Sequence, residues 1–374
     1  MNDAGAMRTR WIVSRGFDVS LFFGGAALSL LFLILALVFR APIVALWWIW
    51  LLAFDGPHIG AAFTRTYLDR QEWTRRPGVL AGSLATFVIG PLALLLGVVT
   101  SSDSPFLLFL GFATLYGYYH VVRQHWGFVS LYNARSGARD PEMTALDSAT
   151  LYLGSWLPYA YFVLSHPRAR ALIGLPAVSE GSLFGRALLW ALVAAWAATL
   201  VRFALIHVRR RSFGEPKVAY LMITVLLHGA IYFGVARFEP VYGASNGPDQ
   251  DFLLISILVV IFHNVQYLGL VWFHNRNRYG ESTGHGLAQL VNRSPAYFLG
   301  ACALFSAVIY FASACATGAF PGCAPFADRQ LGPVSWNQIG LCLWWGLAMN
   351  HYVLDQKIWR VRGDSELRHN LRLA

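Results

Sequence analysis

Apolar runs of about 20 residues alternate along the whole chain with short polar joints rich in proline and glycine. At a rise of 1.5 Å per residue, a run of about 20 residues crosses a bilayer core about 30 Å thick. Ten such segments are predicted, at about 17–39, 43–64, 78–100, 105–131, 146–165, 183–208, 218–238, 251–273, 294–316 and 337–360. Arg76-Pro77-Gly78, Gly214-Glu215-Pro216 and Gly247-Pro248 punctuate the joints. No train of alternating segments of about ten residues marks an outer-membrane barrel. Backbone polar groups in lipid are satisfied within each helix. The expectation is an all-α polytopic membrane protein: one transmembrane domain over 1–374, a bundle of about ten transmembrane helices. Connections of at most about 20 residues leave no soluble domain between them. The first run follows arginines but is about 20 residues long and lacks a small-residue cleavage site, so it reads as an anchor.

Charge sets the orientation. With the helices placed as above, 21 Lys and Arg residues fall on one side and 5 on the other. The positive-inside rule then puts both termini in the cytoplasm, which requires an even number of spans. The net charge of +10 follows from this topology, and no nucleic-acid motif is present. The predicted location is multi-pass in a bacterial inner membrane. Of the four cysteines, Cys315 and Cys323 flank the last external loop. A disulfide there and two free thiols are both open readings, and no C-x-x-C points to a cysteine zinc site. Trp47, Trp48 and Trp50 read as an interfacial belt near the outer surface.

Histidine placement is the informative pattern. His58, His120, His263 and His351 each precede the cytoplasmic end of a predicted helix by about 8–11 residues, or about 12–16 Å of depth. His228 reaches the same layer from the inner end of its own helix. Asp55 and His58 are spaced i, i+3, and His351 and Asp355 are spaced i, i+4, so each pair shares a helix face. His120 has Gln124 at i+4, while His263 has Gln266 at i+3 and Tyr267 at i+4. His125 lies about 140° round the helix from His120. An ionisable residue inside a membrane costs roughly 2.5–3.5 kcal/mol on insertion scales and marks function by default. A shared cation offsets that cost, and a set of imidazoles and carboxylates with little thiolate points to iron, manganese or zinc. The candidate metal ligands are His58, His120, His263, His351, Asp55, Asp355, His125 and His228. Asp355 and Tyr267 are the candidate catalytic groups, and Gln124, Gln266 and Tyr267 would hold imidazole tautomers.

Blander readings stand beside these. A single intramembrane histidine is more often an interhelical hydrogen bond than a ligand. Asp55 could satisfy backbone groups freed by Pro57. His207 reads as interfacial and His274 as near the surface. His166, His285 and His369 read as solvated, with Asp69 and Asp364 as surface partners of arginines.

The stretches 55–69, 119–127, 262–274 and 350–360 resemble, in layout, the membrane-embedded histidine-rich non-haem iron oxygenases: fatty-acid desaturases, alkane hydroxylases and sterol oxidases. Where those families carry HxxxH and HxxHH boxes, this chain has His120-x4-His125 and His351-x3-Asp355. The resemblance implies an oxidoreductase with one or two iron ions that activates dioxygen on a lipid or other apolar substrate at the cytoplasmic side. With no G-x-G-x-x-G after a strand, electrons would come from an acidic donor protein docking on the basic face at Arg75, Arg76, Arg209, Arg210, Arg211 and Arg360. Alternatives are an intramembrane zinc hydrolase of the ceramidase type, a haem protein with two axial histidines, and a proton-coupled transporter. The absence of ionisable groups from the outer helix halves speaks against the last.

Overall fold

The computed structural model describes residues 11–137, 140–174, 182–237, 247–280, 283–316, 323 and 329–373. A helix forms over each predicted segment. In chain order they are α1 (Arg15–Leu37), α2 (Ile43–Arg65), α3 (Pro77–Thr100), α4 (Ser104–Ser136) and α5 (Pro141–Ser165). Then come α6 (Leu183–Arg209), α7 (Pro216–Arg237), α8 (Gly247–Tyr279), α9 (295–316) and α10 (Trp336–Ile358). The only strands among the described residues are Gln330–Leu331 and Val334–Ser335, paired as a minimal hairpin.

The protein is an all-α multi-pass membrane protein. Seven helices, α1 to α4 and α6 to α8, are long and apolar enough to cross a membrane. Helices α5 and α10 have the length, at 25 and 23 residues, but carry more polar side chains, such as Asp147 in α5 and Asn350, His351 and Asp355 in α10. In α6 only 11% of the apolar window is buried within the protein, against 83% in α8. Exposed Leu183, Phe184, Trp190, Val201 and Leu205 on α6 form a surface that water would not tolerate and lipid would. Helix starts follow sequence chemistry. Asp140 accepts from the Glu142 and Met143 amides ahead of Pro141, and Ser335 with Gln338 closes a capping box on α10.

The chain divides into two compact units. One comprises Met1–Trp47 and Tyr118–Gln266. Small residues let its backbones approach: a Cβ at Gly154 would meet Val225 at 2.3 Å, and one at Gly229 would meet Trp196 at 2.3 Å. The indole of Trp196 donates to Gly154 O at 3.0 Å, and Ser29 Oγ donates to Leu258 O at 2.8 Å. Asp18 gathers the Ile12 and Val13 amides and the Tyr132 hydroxyl. Near the arginine-rich ends, Lys217 Nζ meets Asp147 at 2.8 Å, and Arg210 meets Asp140 at 2.5 Å.

The other unit comprises Trp48–Gly117 and Tyr267–Ala374. Here Gly90 faces Cys342 and Gly346 faces Phe87, both too closely for a methyl group. Its arginine-rich end is a buried ion network. Asp69 receives Arg278 Nη2 at 3.0 Å, the Tyr279 hydroxyl at 3.0 Å and His285 Nδ1 at 3.1 Å. Arg278 also reaches Glu72 at 3.2 Å and Glu366. Arg75 and Arg76 grip Asp364 at 2.8 and 2.5 Å. Burial acts to raise Asp364, but the Leu367 amide and these two guanidinium groups outweigh it and hold its carboxyl below the ordinary range.

Several expected surface residues are therefore corrected. Asp69 and His285 are 0% and 3% exposed, and Asp364 is buried at 8%. His166, His207 and His274 are also buried; His166 caps the helix Pro167–Ile173. His369 is exposed, as expected. Trp47, Trp48 and Trp50 are buried in the protein rather than forming a lipid-facing belt. Cys315 and Cys323 form a disulfide.

Candidate metal centre

Within the second unit, α2, α8 and α10 bring His58, Tyr267, His351 and Asp355 together. Pro57 has no N–H for the helix ladder, and its ring crowds the carbonyl four residues back. The helix answers with a wider π turn over Leu51–Asp55, a feature common at functional sites. Gly56 is required there: a Cβ would lie 2.2 Å from Ser306 Oγ, which donates to Leu52 O at 2.9 Å. One residue beyond Pro57, the His58 ring packs edge-on against His351 at a centroid distance of 4.4 Å. The Tyr267 ring touches both, at 4.5 and 5.1 Å.

Asp355 lies one turn beyond His351, with Oδ2 3.5 Å from His351 Nε2. The Tyr267 hydroxyl donates to its other oxygen at 2.5 Å. The carboxylate is thus placed either to accept the imidazole N–H or to join it as a ligand, while the phenol fixes its orientation. Asp55, by contrast, takes the hydroxyl of Tyr310, a partner outside the predicted i, i+3 pairing. Arg65, one residue beyond the predicted segment 43–64, is buried. Its guanidinium lies 4.0 Å over the Trp359 ring and donates to Ile358 O, at the end of α10.

Within the first unit, α4 and α8 bring His120 and His263 to a centroid distance of 5.0 Å, nearly perpendicular. Gln124 does not hold an imidazole. Its amide donates to the backbone carbonyl of His263 at 2.8 Å and so ties α8 to α4 at this level. His125 pairs separately with His228 of α7 at 5.8 Å, and Gln266 serves that pair through Tyr220. All six histidines are 4% exposed or less.

The tyrosines were the missed participants. Tyr220 and Tyr310 stand among 16 tyrosines in the chain and carry no spacing signal. Only the packing shows that each meets a predicted site residue. No protein-family model matches the chain, and comparison with curated proteins and with solved structures gives no significant match.

Proposed function

We propose that this chain is a membrane oxidoreductase with ten transmembrane spans and both termini in the cytoplasm. In this reading His58, His120, His263 and His351 hold an iron ion that acts on an apolar substrate. The observation that carries it is a buried imidazole pair in each unit, His58 with His351 at a centroid distance of 4.4 Å and His120 with His263 at 5.0 Å. Four neutral imidazoles with Asp355 beside His351 suit a borderline divalent metal better than a hard ion, which would demand more oxygen. The ion supplies dioxygen activation when bound. Asp355 and Tyr267 orient His351 and carry a proton at the Asp355 Oδ1 to Tyr267 Oη hydrogen bond. The Cys315–Cys323 disulfide lies in the loop predicted to be external, which supports the orientation.

The test is metal analysis by plasma mass spectrometry on protein purified in mild detergent. The expected result is iron in the wild type and loss of most of it on changing His58, His120, His263 or His351 to Ala. His285→Ala and His166→Ala keep it. Zinc in place of iron, with turnover needing no reductant, would move the reading to an intramembrane hydrolase. Full metal retention in all four variants would leave the histidines as packing groups.

A further inference from the structure

His125 and His228 form a second imidazole pair, contained within the unit of Met1–Trp47 and Tyr118–Gln266. Their ring planes cross at 84°, and the residues are 0% and 1% exposed. Hydrogen bonding fixes the tautomer of each ring. Thr224 O, 2.8 Å from His228 Nδ1, is an acceptor only, so that nitrogen carries the hydrogen. On the other side, Gln266 Nε2 donates to Phe22 O at 2.9 Å, which turns its Oε1 toward Tyr220. The Tyr220 hydroxyl donates to that oxygen at 3.2 Å. Its remaining lone pair accepts Nδ1–H from His125 at 2.7 Å. Each neutral ring therefore presents Nε2 as a bare lone pair, and neither Nε2 has a hydrogen-bond partner among the described residues. Two buried acceptors without donors are costly.

We propose that His125 Nε2 and His228 Nε2 together bind one cuprous ion, at a site separate from the four-histidine group. An Nδ1–H anchored to a fixed acceptor with Nε2 left for the metal is how ligating histidines are held. Two imidazoles bound at about 2.0–2.1 Å to one ion have ring centroids roughly 6.3 Å apart when opposed and less when the N–metal–N angle bends, so the 5.8 Å centroid separation fits a bent pair. Aromatic rings surround the pair: Phe262 lies 5.1 Å from His125, and Tyr118 lies 6.0 Å from His228. No carboxylate is hydrogen-bonded to either ring among the described residues. The cost of burying an ion rises with the square of its charge, so a neutral ligand pair in such a setting favours a monovalent metal. Among ions that imidazole binds well, copper has an accessible monovalent state that is content with two ligands. His120 projects about 140° away from His125 round α4, which keeps the two pairs apart. This site stands or falls independently of the iron reading.

Full-length protein in detergent would be loaded with Cu(I) under anaerobic conditions, exchanged against a chromogenic Cu(I) chelator, and analysed for copper and iron together. One copper per chain is expected, with an X-ray absorption edge of low-coordinate Cu(I). His125→Ala and His228→Ala should each weaken retention at least 100-fold, while His120→Ala retains it. Tyr220→Phe keeps the ring but removes the acceptor for His125 Nδ1–H, and should weaken retention per folded chain about 10–100-fold. It also decides the matter if either alanine variant fails to fold. Copper retention unaffected by these changes, or no copper bound by folded wild type, overturns the proposal in favour of a bridging water. Stoichiometric Zn(II) displacing Cu(I) overturns the charge argument.

Discussion

The Tyr267 hydroxyl reaches Asp355 Oδ1 at 2.5 Å while Oδ2 of the same carboxylate lies 3.5 Å from His351 Nε2. One carboxylate thus links a phenol on α8 to an imidazole on α10. This bridge gives the clearest handle on the candidate centre. Tyr267→Phe preserves the ring that packs against His58 and His351 and deletes only the donor. Metal affinity and turnover should fall about 10–100-fold, the usual effect of losing such a support. Unchanged metal content and rate would reduce Tyr267 to a packing residue.

The ion network around Asp69 should matter for stability and not for metal binding. Arg278 is 6% exposed and Asp69 is 0%, so Arg278→Met strands a buried carboxylate. Breaking a buried pair by removing one partner costs about 3–5 kcal/mol. Unfolding in mixed micelles should show a loss of that order, with any metal content per folded chain unchanged. A loss below about 1 kcal/mol would mean that water or other partners compensate.

His166 gives a pH dependence with a definite sign. Burial, with the Arg170 charge adding to it, pushes the imidazole down from 6.5 to about 4. Its Nδ1 accepts from the Ala169 amide at 3.4 Å, which requires the neutral ring. Between pH 4 and 6.5 the unfolded chain therefore binds a proton that the folded chain does not. The His166 contribution is fully present above about pH 6.5 and is lost as pH falls toward 4. His166→Asn keeps a good capping acceptor and removes the titration. Melting temperatures between pH 4 and 7 should fall less steeply in the variant, and parallel slopes would refute the assignment.

The helices were legible in the sequence because lipid forces each segment to satisfy its own backbone, so hydropathy alone marks them. Which way each side chain turns was not. The π turn at Leu51–Asp55 locally widens the helix just ahead of His58, and the Tyr310 hydroxyl on Asp55 comes from a distant segment that helix spacing does not reveal. Gln124 and Gln266 sit at imidazole spacing, yet one binds a backbone carbonyl and the other a tyrosine. His285 and Asp69 looked solvated because loop sequence does not reveal that a short connection folds back into a network. Trp47, Trp48 and Trp50 mimic an interfacial belt in sequence, whereas tertiary contacts bury them.

Electron delivery is the step at which the structure changes the expectation most. The arginines proposed to receive an acidic donor are not equivalent. Arg75 and Arg76 are paired with Glu72, Asp364 and Glu366, and Arg210 with Asp140 and Glu142. Reversing Arg76, whose side chain is 16% exposed, would place two negative groups side by side and unfold the network, mimicking a docking defect. Arg209, Arg211 and Arg360 are exposed, and among the described residues no carboxylate pairs with them. Exposed charges of this kind steer encounters at long range and are screened by salt over about 10 Å at 0.1 M. If a separate acidic donor reduces the iron, Arg209→Glu, Arg211→Glu and Arg360→Glu should each slow reduction several-fold at low ionic strength, the deficit closing as salt rises. Metal content and melting temperature should stay at wild-type values. Stopped-flow reduction by a small acidic iron–sulfur carrier provides the measurement. A rate indifferent to all three reversals at low salt would rule out docking through these charges.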